Sequence, residues 1–131
     1  MTAVLPRPTP LDGTVRGTAG GPGVFTGSYR VSADESVLRG HYPGLPIFPG
    51  VALVECVHQA VRLSVPEESG TPAMAEVESC RFLAPVFPGH TVDVRTTAES
   101  VEGGFRCRAV LSRGEERVAT LRVRYRLEAT G

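Results

Sequence analysis

Lysine is absent: all fourteen basic residues are arginine. That excludes Schiff-base chemistry on a lysine amine, the phosphate-gripping lysine of a P-loop, and any cofactor attached through lysine. Net charge is absent too, fourteen arginines balancing fourteen Asp and Glu. Nothing general therefore draws the chain to nucleic acid or to an anionic membrane. No apolar run approaches the roughly 18 to 20 residues of a spanning helix. The opening "MTAVLPRPTPLDGTVRGTAGGPG" has no basic stretch followed by an apolar core, so it does not read as a secretory signal, and a cytoplasmic location is expected. Cysteine is scarce and odd in number, and Cys56, Cys80 and Cys107 each sit among apolar or strand-like residues. Buried reduced thiols are expected rather than a disulfide framework. Their spacing matches no zinc pattern.

What is present suits one soluble domain: 131 residues, 41% hydrophobic and 21% charged. Residues 1–22 are rich in Pro, Gly and Thr without periodicity, and read as a flexible arm before a single domain at 23–131. "GTAGGPG" has the glycines of a phosphate loop but no helix start behind it, which that motif requires. "VFTGSYRV" reads as a strand, and "SADESVLRG" as a short turn with Ser32 or Asp34 as its cap. "VALVECVHQAVRL" has no internal Gly or Pro, is stopped by Pro66, and is apolar almost all round, so a largely buried helix is expected. One of its faces carries Glu55, His58, Gln59 and Arg62.

After residue 73 the period changes to two. "AMAEVESCRFL", "TVDVRTTAES", "GFRCRAVLS" and "RVATLRVRYRLE" alternate apolar and polar, with "VEGG" and "SRGEE" as hairpin turns. The expected fold is α+β: an antiparallel meander curved around one long helix. In the last strand Leu121, Val123, Tyr125 and Leu127 should point inward. Arg122, Arg124 and Arg126 should point outward beside Arg106 and Arg108, as a solvated face or as a docking surface for an acidic partner.

"GHYPGLPIFPGV" (40–51) sets Pro43, Pro46 and Pro49 at three-residue steps after His41. Three fixed φ angles and three missing donors make this stretch a stiff extended loop, neither helix interior nor central strand. Glu55 with His58 has the Glu-x-x-His spacing of di-iron bundles, but the second such pair and the extra carboxylate helices are missing, so no metal is expected. His90, in "FPGHTV", is expected to be exposed.

"GHYPGLPIFPGVALVECVHQA" resembles the signature of the hotdog-fold 3-hydroxyacyl-acyl-carrier-protein dehydratases of fatty acid and polyketide synthesis. The family pattern of Gly-His-Phe-Pro, two further prolines at three-residue steps, Gly-Val, then Glu with Gln four residues later is met by His41, Pro43, Pro46, Pro49, Gly50, Val51, Glu55 and Gln59. "CRFLAPVFPGHTV" is similar to the family's next strand and turn, and the likeness extends over about residues 24–127. Tyr42 stands where the family has Phe, and His58 where it has a small residue; both are candidate pocket residues. The resemblance implies a hotdog fold and removal of water from a 3-hydroxyacyl thioester, with His41 and Glu55 catalytic. It also implies a homodimer completing each site across its interface, and an acyl carrier protein as partner. No cofactor of the chain's own is implied, because phosphopantetheine arrives with the substrate.

The residue types suit that chemistry. Imidazole titrates near neutral pH and fits a base for the proton next to the carbonyl. A carboxyl held on an apolar helix fits an acid for the leaving hydroxyl. Gly50 and Val51 at the helix start offer N–H groups to the developing oxyanion, a contribution of about 3 kcal/mol where it is made. Gln59 is expected to orient Glu55. Two rivals stay open: a thioesterase of the same fold, in which a carboxylate activates water, and a non-catalytic subunit supporting a partner.

Overall fold

The computed structural model describes residues 11–21, 23–35 and 48–129. Along the chain come β1 (Arg16–Gly21) and β2 (Val24–Arg30). Helix α1 (Gly50–Ser64) and a 3-10 turn (Glu67–Ser69) follow. Then come β3 (Thr71–Phe82), β4 (Thr91–Val101), β5 (Gly104–Arg113) and β6 (Glu116–Glu128). The strands form one antiparallel sheet in the order β1-β2-β4-β5-β6-β3, and α1 packs on one face of it.

Two expectations are corrected by this order. β4, β5 and β6 do form a meander, but β3 pairs only with β6, and β4 pairs on its other side with β2. Residues 83–90 therefore cross from one edge of the sheet to its middle, a step that alternation of apolar and polar residues cannot reveal. The expected arm is also shorter than residues 1–22, since 16–21 is a strand and Leu11 and Val15 are buried. The glycines explain how so poor a strand sequence pairs. Gly17 sits opposite Gly27, and a Cβ on Gly17 would lie 2.2 Å from the Thr26 carbonyl oxygen. The close approach of the two backbones is possible only without side chains there.

Helix α1 is two-sided rather than buried all round. Ala52, Leu53, Cys56, Val57, Ala60 and Val61 pack on the sheet, whereas Val51 is 62% and Leu63 56% exposed. On β6, Leu121, Val123 and Tyr125 are buried as expected, but Leu127 is 40% exposed because it lies at the strand's end, past the cover of the helix.

The outward arginines are paired rather than free. Arg106 Nε meets Glu78 Oε1 at 2.6 Å, Arg122 approaches the same oxygen at 3.4 Å, and Arg124 reaches Glu76 at 3.4 Å. Glu99 lies between Arg106 and Arg108, at 3.3 and 3.8 Å. β3, the neighbour of β6 that the sequence did not disclose, supplies Glu76 and Glu78, and Glu78 sits at a bulge in that pairing. Hydrogen bonding by Arg106 holds the Glu78 carboxyl below the usual carboxylate range. Arg122 Nε is buried and makes no hydrogen bond among the described residues, and it lies 3.4 Å from the Glu78 carboxylate. The face is thus a lattice of solvent-exposed ion pairs in which arginines outnumber glutamates.

Candidate active site

The outer side of α1 and the start of β3 enclose an open pocket of about 400 Å³. The helix contributes Val51, Val54, Glu55 and His58, the strand contributes Thr71 to Met74, and Glu128 closes one end. The size falls within the range of small-molecule sites, and apolar walls with few polar groups are their usual make-up. Glu55 and His58 are neighbours one helical turn apart and both face this space, each half-buried.

His58 is held by an aromatic stack. Its ring is parallel to that of Tyr125 (centroids 5.8 Å, planes 1° apart), and Tyr125 in turn lies parallel to Phe105 across the strand pair (5.1 Å, 4°). His58 Nδ1 and the Tyr125 hydroxyl are hydrogen-bonded at 3.1 Å. Burial, then the charges of Cys107 and Glu55, push the Tyr125 phenol above its ordinary range, so it keeps its proton. When that hydroxyl donates to Nδ1, the other ring nitrogen, Nε2, carries the proton. His58, a candidate pocket residue from the sequence, packs on Tyr125 and lines the pocket.

The start of α1 is built tightly. Pro49 precedes the helix with extended backbone, and its carbonyl accepts from Ala52 and Leu53. A Cβ on Gly50 would lie 2.5 Å from the Phe82 ring. The glycine thus brings the helix N-terminus against the end of β3, and the first N–H groups of the helix, at Gly50 and Val51, have no partner within it. Gln59 is placed differently from expectation: its Oε1 accepts from Val15 N–H at 2.8 Å, tethering the chain ahead of β1 to the helix. His41 and Tyr42 lie outside the described residues.

His90 is half-buried instead of exposed, because its Nδ1 accepts from Phe87 N–H at 3.0 Å and lies 3.2 Å from Arg113. Among the described residues no group of His, Cys, Asp and Glu could hold a metal ion, and no helix is long and apolar enough to cross a membrane. Tyr29, Glu35 and Tyr125 are buried polar groups that the sequence reading did not single out as site residues. The available signal was a tyrosine at an inward strand position, whose hydroxyl must find a partner.

A six-stranded antiparallel sheet wrapped on one helix, with a pocket along the helix flank, is the hotdog fold. The dehydratase ApeI:P heterocomplex from Xenorhabdus doucetiae superposes with a TM-score of 0.67 at 19% identity, covering 84% of this chain and 93% of that one. The chain belongs to the ApeI-like family, described as ApeI dehydratase, whose model matches residues 22–120. It is also similar to curated proteins named 3-hydroxyacyl-[acyl-carrier-protein] dehydratase FabZ. The protein of that name from Symbiobacterium thermophilum is 49% identical over 63 residues, covering 45% of this chain and 44% of its own length. That from Nitratidesulfovibrio vulgaris is 33% identical over 101 residues, covering 72% and 66%. The aligned stretches thus fall short of the whole of these relatives.

Proposed function

We propose that the chain removes water from a 3-hydroxyacyl thioester presented on an acyl carrier protein, giving the trans-2-enoyl thioester, in fatty acid or polyketide-type synthesis. The observation that carries the reading is Glu55, a carboxyl side chain on an otherwise apolar helix stretch, facing a pocket within a dehydratase-family match. Such a group needs a reason to be there.

In this scheme His41 takes the proton from C2, and that electron pair becomes the C2–C3 double bond. The C3–O bond breaks as Glu55 gives its proton to the departing hydroxyl, which leaves as water. The N–H groups of Gly50 and Val51 receive the charge that builds on the thioester oxygen. Val54 and Met74 offer apolar wall to the acyl chain. Phosphopantetheine comes with the substrate, and the reaction needs no further cofactor. The working unit is a homodimer with shared sites, in the cytoplasm.

The test is mass spectrometry of carrier-bound 3-hydroxyacyl substrates of graded length, read for loss of one water. Glu55→Gln and His41→Ala should each lower turnover by at least ~100-fold in folded protein. Release of free acid instead would establish the thioesterase. If Glu55→Gln stays near wild type while His58→Ala is inactive, His58 holds the role assigned to Glu55.

A further inference from the structure

One tyrosine touches both flanks of the segment that carries His41. The Tyr29 hydroxyl donates to Glu35 Oε1, and Glu35 is the last described residue before residues 36–47. The Tyr29 ring stacks on Phe48, the first described residue after them, with centroids 5.9 Å apart and planes 23° apart. Both flanks are further secured. Glu35 is 1% exposed, and its carboxylate accepts from Asp12 N–H at 3.0 Å and Ser32 N–H at 3.1 Å. The Tyr29 hydroxyl accepts from Gly13 N–H at 3.1 Å, and Phe48 N–H donates to the Val86 carbonyl at 2.7 Å.

Neither Tyr29 nor Glu35 lines the pocket that Glu55 faces. A buried carboxylate is expensive, and an apolar residue would fill the space at lower cost, so a satisfied one marks a place where geometry is being specified. Phe48 stands two residues before Gly50, so one end of the clamp leads directly into the helix start. We propose that Tyr29 and Glu35 are positioning residues: together they tie Glu35 to Phe48, the described residues on either side of 36–47, and they act on turnover through the His41 that this segment carries. The inference rests on the reading of His41 as the base.

Tyr29→Phe removes one hydroxyl and keeps the ring stack; Glu35→Gln keeps the shape and gives up one acceptor oxygen. In protein shown to be folded by circular dichroism, both should lower kcat at least ~10-fold, as misplacement of a reacting group does. KM should stay within about twofold, because neither side chain reaches the pocket. The modification rate of His41 by diethylpyrocarbonate, read at that residue by mass spectrometry, should shift more than about twofold in both. The double variant should lose less than the product of the two single losses, because both lesions act on the Tyr29–Glu35 contact. Folded variants with wild-type kcat and wild-type His41 modification, only melting earlier, would overturn the clamp. Should Glu35→Gln fail to fold, Tyr29→Phe decides. His41→Ala with wild-type turnover would instead sink the reading of His41 as base, and the modification rate alone would then judge the clamp.

Discussion

A thiol shut into an apolar core keeps its proton, and Cys56 and Cys107 are both in that position, fully buried on α1 and in β5. Burial pushes each up to about 12, the Cys56 thiol also feeling the charges of Glu55 and Glu35. The unfolded chain releases these protons near the ordinary value of 9.0. Above that pH the unfolded state binds fewer protons than the folded one, so stability falls as pH rises. The contribution is whole below about 9 and is lost progressively towards about 12. The urea midpoint should therefore drop between about pH 9 and 10, before the two buried tyrosines, also raised, enter the balance. Cys107→Ala should make that drop shallower. An unchanged slope would show that the Cys107 thiol does not carry it. In native protein a thiol reagent should reach half-buried Cys80 first, and the other two only on unfolding.

At the scale of elements, β1 is the sharpest test of how the sheet is made. Gly17→Ala would place a methyl group against the Thr26 backbone at the β1–β2 pairing, where no side chain can yield. The cost should be of the order of 1–3 kcal/mol, as for overpacking elsewhere, and should appear as a lower melting temperature with early hydrogen exchange in β1. Protection of β1 equal to wild type would mean the strands can separate without loss. The same strand shows where sequence reading stops. Period-two alternation gave β3 to β6 within a residue or two, and the absence of Gly and Pro gave α1. In β1 the information resides in two glycines that meet only after folding, and composition alone reads as an arm. Strand order was hidden for a related reason, because the β3–β6 pairing is long-range and is recorded locally only as charges awaiting opposite partners. Glu55, which lines the pocket, stands out in the sequence because a carboxyl group on an apolar helix is costly. The Gln59–Val15 and Tyr29–Glu35 contacts do not, since each joins residues whose local sequence says nothing of the other.

For the whole molecule, an exposed apolar margin lies where the start of α1 meets the end of β3. β3 is an edge strand, with Phe82 and Leu83 exposed at its end, and Val51 is exposed at the start of the helix. Gly50 against Phe82 joins the two into one margin beside the pocket. A twofold mate would cover an apolar flank and an open edge at once, which is how sheets avoid indiscriminate pairing. If His41 reaches the Glu55 of the other chain across that interface, each single lesion disables half of every site and the two are complementary. Consider His41→Ala and Glu55→Gln chains co-expressed with different tags. In a mixed dimer one site inherits both lesions, and the other takes its intact His41 from one chain and its intact Glu55 from the other. Free pairing makes about half of the dimers mixed, each with one sound site of two, so about a quarter of wild-type activity should return from two nearly inactive parents. Purification through both tags should raise this to about half per dimer. Recovery absent from the doubly tagged species would place His41 and Glu55 within a single chain, and the exposed margin would then need another occupant.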